Sequence, residues 1–322
     1  MSYPPACPHR IGQRLVIEMT QMTAAQSCEQ AVQALPLRLR ETALSLPASD
    51  RERVEEFRLR VGWPMAAVLD GTERPLPGPP VRVEELNQLV EIASHASLHT
   101  VLDQVRRGYL TIEGGHRIGL CGTAVLREGE IHALRDLSSA NLRIARQVRG
   151  AAAPVLDRLC PKGRLADTLI LAPPGLGKTT LLRDLLRAVS EGEHCVPLRV
   201  ALADERGEVA ALHGGQPQLE VGRRTDVVEG CPKAQGLMLL LRAMNPQILA
   251  VDEITAPEDV AALIAAAGCG VTLLATAHGE GRAGLERRPL YRPLLEEGLF
   301  RFLVQIRREN GARLYTVEEL RK

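Results

Sequence analysis

Lys178 and Thr179 stand side by side in the string A-P-P-G-L-G-K-T-T (Ala172–Thr180). A lysine and a hydroxyl residue behind a glycine-rich turn are suited to hold a nucleoside triphosphate. Successive backbone N–H groups of such a turn point inward and cradle phosphate oxygens. The N-terminus of the helix that follows adds a partial positive charge. The expected binding loop comprises Ala172, Pro173, Pro174, Gly175, Leu176, Gly177, Lys178, Thr179 and Thr180. Lys178 would reach the β- and γ-phosphates of ATP, and the Thr179 hydroxyl would ligate Mg²⁺. Ala172 stands where the pattern G-x-x-x-x-G-K-[ST] opens with glycine.

Three further strings carry chemistry. In I-L-A-V-D-E-I (Ile248–Ile254) an apolar run ends in two carboxylates, the form of a Walker B box. Asp252 would hold Mg²⁺, largely through water, because magnesium dehydrates reluctantly. Glu253 would orient and polarise the attacking water. In A-L-A-D-E-R-G-E (Ala201–Glu208) another apolar run leads into Asp204, Glu205 and Glu208. These form a second acidic cluster that would support the metal and the water. In L-A-T-A-H-G (Leu274–Gly279) a strand runs into Thr276 and His278. His278, a residue type that titrates near about 6.5, would sense the γ-phosphate.

Phosphoryl transfer relies on positioning and charge neutralisation, and an arginine from a neighbour is worth about 10³–10⁵ in turnover. Arg223 and Arg224 in V-G-R-R-T-D, and Arg135, Arg143 and Arg146, are candidates. The string L-H-G-G-Q (Leu212–Gln216) imitates the signature of ABC transporter ATPases. Pro217 follows it and Asp252 lies far downstream, so it reads as a loop rather than the start of a helix.

The elements that must position these residues alternate between strand and helix from Thr168 onward, the pattern of an α/β parallel sheet with crossover helices. Strands are expected at Thr168–Leu171, Leu198–Ala203, Gln247–Val251 and Val271–Thr276, with helices starting near Gly177, Lys233 and Pro257. In open parallel sheets ligands bind beyond the carboxyl ends of the strands, where every acidic or histidine string here falls. Phe300–Ile306 and Arg313–Val317 flank Asn310-Gly311 and read as a terminal hairpin.

The N-terminal part reads as a smaller α+β domain. Helices are expected at Cys28–Leu35 and Leu37–Leu46, interrupted by Pro36, and at Val83–His95 and Leu98–Arg107. Extended runs cover Val54–Val61, Met65–Leu69, Tyr109–Glu113, His116–Val125, Glu130–Leu137 and Asn141–Arg146. Asp70–Pro80 reads as a Pro/Gly-rich loop. The expected domains are residues 1–150 and 151–322.

The 322 residues suffice for two cores. A net charge of +1 gives no global electrostatic case for nucleic acid or an anionic membrane as partner, and 2% aromatic residues weaken base stacking. Seven scattered cysteines without a C-x-x-C fit a reducing compartment rather than a zinc site or disulfide framework. The first ten residues lack the apolar core of a signal peptide. Val260–Ala277 is uncharged, but its Ala/Gly composition and Gly268-Cys269-Gly270 predict a buried helix, a turn and a buried strand rather than a membrane span.

The order of these strings resembles the secretion ATPases of type II and type IV systems. Asp204–Glu208 lines up with their Asp box, with Glu208 at its final glutamate, and His278 falls in their His box. Five longer strings are similar to the stage III sporulation protein AA family of endospore-forming Firmicutes: Arg106–Leu120, Arg135–Arg146, Gly222–Val227, Cys231–Gly236 and Arg288–Glu297. The likeness covers most of the chain from about Val54. It implies a RecA-like P-loop ATPase core that assembles as a ring-shaped homo-oligomer, a hexamer, with the N-terminal domain folded over the nucleotide. The segment A-N-L-R-I-A-R is similar to the junction from which secretion ATPases present arginines, which favours Arg143. The resemblance also implies a cytoplasmic position on the mother-cell side of the membrane. There the chain would meet membrane proteins of the channel complex between mother cell and forespore, and energise that apparatus. Ala172 departs from the pattern, as does Gly207, which sits where a bulkier side chain is common.

A Mg²⁺-ATP-dependent motor is the reading these residues favour. A nucleic-acid-dependent RecA-like ATPase shares the same core, and a nucleotide-gated scaffold with little turnover would share the same loop.

Overall fold

A computed structural model describes residues 23–94, 108–309 and 312–320. The helix expected at Leu98–Arg107 and the Asn310-Gly311 turn lie outside the described residues.

A six-stranded antiparallel sheet comes first, in the order β3-β2-β1-β6-β5-β4. Its strands are β1 (Val54–Arg60), β2 (Ala66–Leu69), β3 (Thr72–Pro75), β4 (Tyr109–Thr111), β5 (Arg117–Arg127) and β6 (Glu130–Arg143). Helices Ala24–Ala31, Leu37–Leu44 and Val83–Ala93 contribute Cys28, Leu39, Leu86 and Leu89 to the core they share with Phe57, Leu59, Ile118 and Leu142 of the sheet. Thr23 and Gln26 close a reciprocal capping box at the first of these helices.

Two expectations are corrected here. Asp70–Pro80 is not wholly a loop: Asp70 and Gly71 both take positive φ (49° and 77°) and turn the chain into edge strand β3. Such a turn matches strand twist, and Asp-Gly supplies it. Proline is tolerated on an edge, so the prolines obscured a short strand. The runs Glu130–Leu137 and Asn141–Arg146 are one continuous strand, β6. Its register against β5 shifts between Cys121 and Thr123, opposite Asp136 at φ 48°, and this bulge breaks the alternation.

The second sheet has seven strands in the order β11-β8-β12-β13-β7-β14-β15, all parallel except β15. Its buried members β7 (Thr168–Ala172), β8 (Val200–Asp204), β12 (Ile248–Val251) and β13 (Thr272–His278) are near-continuous apolar runs, as both covered faces require. Edge strand β11 (Thr225–Glu229) escapes sequence reading because it is half-buried, charged and without alternation. Strands β14 (Phe302–Glu309) and β15 (Ala312–Glu319) form the terminal hairpin. Leu212–His213 (β9) and Gln216–Pro217 (β10) pair as a small ladder, so L-H-G-G-Q opens no helix.

Helix Lys178–Glu191 is buried along most of its length, including charged residues that are paired. Asp184 accepts from Ala152 N (2.8 Å) and from Arg187 Nε (2.8 Å). Helices Lys233–Ala243 and Pro257–Ala267 cover the opposite face through Leu237, Leu240, Val260 and Leu263. Val260–Ala277 is a helix end, a turn and strand β13. Among the described residues no helix is long and apolar enough to cross a membrane.

Candidate functional site

Strand β7 ends on Ala172, which is buried and stands in register opposite His278 of β13. Its φ is not positive, so this position needs no glycine and a methyl group is accommodated. Gly177 sits at φ 96° immediately before helix Lys178–Glu191, a conformation that favours glycine.

Lys178 is only 7% exposed. Its Nζ donates to Ala172 O (3.1 Å), Pro173 O (3.2 Å) and His278 Nδ1 (3.0 Å). An ammonium only donates, so Nδ1 accepts and the neutral ring carries its proton on Nε2, 2.8 Å from Glu253 Oε1. Burial pushes the Lys178 ammonium below its ordinary value, against the pull of Glu253 and Asp252.

Asp252 is held by two hydroxyls. Thr179 Oγ1 donates to Oδ2 (2.8 Å) and Thr276 Oγ1 to Oδ1 (2.7 Å). Thr276 Oγ1 also accepts from Glu253 N (2.8 Å). Enclosure pushes the Asp252 carboxyl above the usual carboxylate range, and the two hydroxyl hydrogen bonds oppose the shift. Glu253 takes a left-handed backbone at φ 55°, which costs a non-glycine residue roughly 1 kcal/mol or more.

The acidic box divides its work. Asp204, 2% exposed, accepts from Glu208 N (3.0 Å), Val209 N (3.0 Å) and Ala210 N (2.8 Å), so it shapes the turn. Burial pushes its carboxyl up even so. Gly207 sits at φ 63°, and a Cβ there would come within 2.8 Å of the Glu229 carboxylate, which explains the small residue. Glu205 lies 3.4 Å from Lys233 Nζ. That ammonium is buried and also donates to Thr255 Oγ1 (2.9 Å). Glu205, Glu208, Lys233, Asp252 and Glu253 border a cavity of about 20 Å³, room for one water molecule.

A second cleft, about 240 Å³, opens between the two sheets. Thr179, Arg183 and Glu208 line one wall; Arg117, Arg143 and Arg146 line the other. Arg117 and Arg143 are opposed in register on β5 and β6. Arg143 makes no ion pair among the described residues, whereas Arg146 Nη2 is engaged by Glu52 O and Val54 O (both 2.7 Å). The remaining arginine candidates lie elsewhere in the same chain. Arg223 pairs with Glu191 and Arg224 with Ser190 O, at the far end of the loop's helix. That helix has 14 residues, and at ~1.5 Å per residue its ends lie about 20 Å apart. Arg135 is exposed beside Asp136 (3.6 Å).

Sequence reasoning missed Arg117, Arg183 and Lys233. Arg183 has a legible signal: it follows Thr179 by one helical turn, on the same face. Its guanidinium donates to Val209 O and Glu208 O (both 2.6 Å), anchoring the acidic box. Arg117 and Lys233 lie within the strings that carry the family resemblance, without a chemical pattern of their own.

The residues fit a Mg²⁺-nucleotide. Among the described residues no three His, Cys, Asp or Glu side chains converge as a metal cage. Magnesium needs none, taking one or two carboxylates and completing its shell with phosphate oxygens and water. The Thr179 hydroxyl and the Asp252 carboxylate, already in contact, are the oxygen donors such an ion would use.

The solved structures with this architecture include the ATPase DotB of Legionella pneumophila. The likeness has a TM-score of 0.52 at 17% identity and covers 92% of this chain and 81% of that one. The pilus retraction motor PilT with bound ADP gives a TM-score of 0.56 at 15% identity over 84% and 80%. At these identities the likeness establishes the fold alone: an α/β, RecA-like core. In sequence, the stage III sporulation protein AA of Bacillus subtilis (strain 168) is 37% identical over 286 residues, 87% of this chain and 91% of that protein. The pattern of the family described as "Sporulation stage III, protein AA" matches residues 25–318, and the chain therefore belongs to the sporulation stage III protein AA family.

Proposed function

We propose that this chain is a Mg²⁺-dependent ATPase of the secretion-ATPase class that works in endospore formation. The observation that carries the proposal is the closed network joining Lys178, His278, Glu253, Thr276, Asp252 and Thr179. An ammonium, two carboxylates and two hydroxyls that stand together beyond adjacent parallel strands support the reading.

In this mechanism the loop amides from Gly175 to Thr180 and the Lys178 ammonium bind the phosphates. Magnesium, when bound, would neutralise charge on the phosphate oxygens. Glu253 takes the proton from the attacking water. His278, donating from Nε2 to Glu253, fixes that carboxylate and links it to Lys178. Glu205 and Glu208 border the water-sized cavity beside Glu253 and orient the water. Arg143, on the facing wall of the cleft, neutralises charge on the transferred phosphate.

We further propose a ring-shaped homo-oligomer, a hexamer, seated on the cytoplasmic face of the mother-cell membrane against membrane proteins of the channel between mother cell and forespore. The family membership supports the setting, and the four arginines gathered at the cleft between the sheets support a site completed by charge from several elements.

Phosphate release by the purified chain, with and without Mg²⁺, tests the activity. Glu253→Gln should lower it at least about 100-fold, within the range for loss of a general base, while ATP still binds. Hydrolysis by Glu253→Gln at the wild-type rate would remove Glu253 from the mechanism. Mass in solution with and without Mg²⁺-ATP tests the ring.

A further inference from the structure

One buried ammonium ties three elements together around the cavity beside Glu253. Lys233 opens helix Lys233–Ala243 and is 7% exposed. Its Nζ donates to Thr255 Oγ1 (2.9 Å) and lies 3.4 Å from Glu205 Oε2 and 3.9 Å from Asp259 Oδ2. Its backbone N donates to the same Glu205 oxygen (3.3 Å), so one residue grips that carboxylate twice. Asp259 in turn accepts from Thr255 N (3.0 Å) and Ala256 N (3.1 Å), which fixes the loop that follows Glu253. The helix itself is seated closely. A Cβ at Gly236 would come within 3.0 Å of Val228 on β11 and 3.3 Å of Ala203 on β8, the strand that leads into the acidic box.

Stability does not call for a charge at this place. Burying an ion pair costs desolvation that its attraction repays only in part, and apolar residues of similar volume often serve as well. The charge stands instead where the chemistry needs it. Asp204, Glu205, Glu208, Asp252 and Glu253 all line the water-sized cavity. Of the two cations in that lining, Arg206 is exposed and Lys233 is buried. Carboxylates at such close quarters repel one another. Glu205 is partly exposed, so without a counter-charge the repulsion would turn it towards solvent and away from the cavity.

We infer that Lys233 is a positioning residue for ATP hydrolysis: its ammonium and backbone amide hold the Glu205 carboxylate at the cavity of the attacking water. The inference rests on the ATPase reading and adds to it a residue that acts through Glu205.

The test is steady-state phosphate release by the full chain and by its Lys233→Met and Lys233→Gln variants, each alone and combined with Glu205→Gln. Both substitutions remove the charge, and Gln keeps a donor for Thr255. Thermal melts check the fold, and rates are taken well below each midpoint; should Lys233→Met unfold, Lys233→Gln carries the test. In the single variants kcat should fall at least about tenfold with KM for ATP unchanged within about twofold, the pattern of an interaction realised in the transition state. In the Glu205→Gln background either Lys233 substitution should add less than about twofold, because the two residues act as a unit. A merely structural lysine would multiply the two losses. Multiplied losses, an effect on KM alone, wild-type kcat in the Lys233 variants, or Glu205→Gln at the wild-type rate each overturns the inference. A wild-type chain that binds ATP without releasing phosphate overturns the ATPase reading itself, and the inference with it.

Discussion

Arg117 and Glu208 form an ion pair of 2.8 Å across the two sheets, with the Arg117 guanidinium lying 3.7 Å above the Tyr109 ring. Glu208 ends the acidic box and borders the cavity beside Glu253. The N-terminal sheet therefore holds one end of the acidic cluster proposed to position water, and residues of both sheets border one cleft.

Arg117→Ala should consequently separate stability from activity. The pair is partly exposed, and such pairs contribute about 1 kcal/mol or less, so urea unfolding should shift little. Phosphate release should fall at least about tenfold. In a double-mutant cycle with Glu208→Gln the two losses should be smaller together than their product. Independent losses would show that the pair has no shared role.

Thr276→Val removes the hydroxyl that donates to Asp252 and accepts from Glu253 N. Each lost hydrogen bond leaves a polar group short of a partner, at roughly 1–3 kcal/mol. The Mg²⁺ concentration for half-maximal phosphate release should rise about tenfold or more. A variant with the wild-type Mg²⁺ dependence would mean that Thr179 alone orients Asp252.

Asp204→Asn tests the shape of the acidic box. Asn keeps one carbonyl oxygen where the carboxylate accepts three backbone N–H groups. Hydrogen bonds to charged groups are the stronger ones, so unfolding free energy should drop by about 2–4 kcal/mol. Hydrolysis should fall with it through displacement of Glu208. Unaltered stability would show that the turn holds without Asp204.

His116 predicts a pH dependence of stability. It is 1% exposed; Nδ1 accepts from Ala145 N (3.0 Å), and Nε2 lies 3.3 Å from Gln30 Oε1. Burial pushes its pKa down from 6.5 to about 4, so protonation favours the unfolded chain. The stability carried by the neutral ring is complete above pH 6.5 and is lost progressively as pH falls towards 4. The gap is worth about 3 kcal/mol at ~1.4 kcal/mol per unit. Urea unfolding between pH 7 and 4 should show this fall in the wild type and a flatter profile in His116→Gln. Parallel profiles would assign the acid sensitivity to other groups.

Much of the chemistry was legible because it is local. The strand–loop–helix from Thr168 to Glu191, the Asp252-Glu253 strand end and the Thr276–His278 strand end each announce themselves through apolar runs followed by particular polar residues. The misjudged elements are those where local pattern and structure part company. Edge strands β3 and β11 have no apolar face to advertise, and the bulge in β6 scrambles its alternation.

Fold class and family are written in apolar runs and in strings of neighbouring residues, as are the polar residue types at the strand ends. Which of those residues meet depends on the packing of the sheets. Lys178 reaches His278 across 100 positions and Arg117 reaches Glu208 across 91. Strand order and register make those contacts, through the summed burial of many apolar side chains rather than any signal in the two residues that touch. For the same reason Arg143 faces the cleft while Arg223 is pinned to the far end of a helix, although both stand in the sequence as arginines beside polar neighbours.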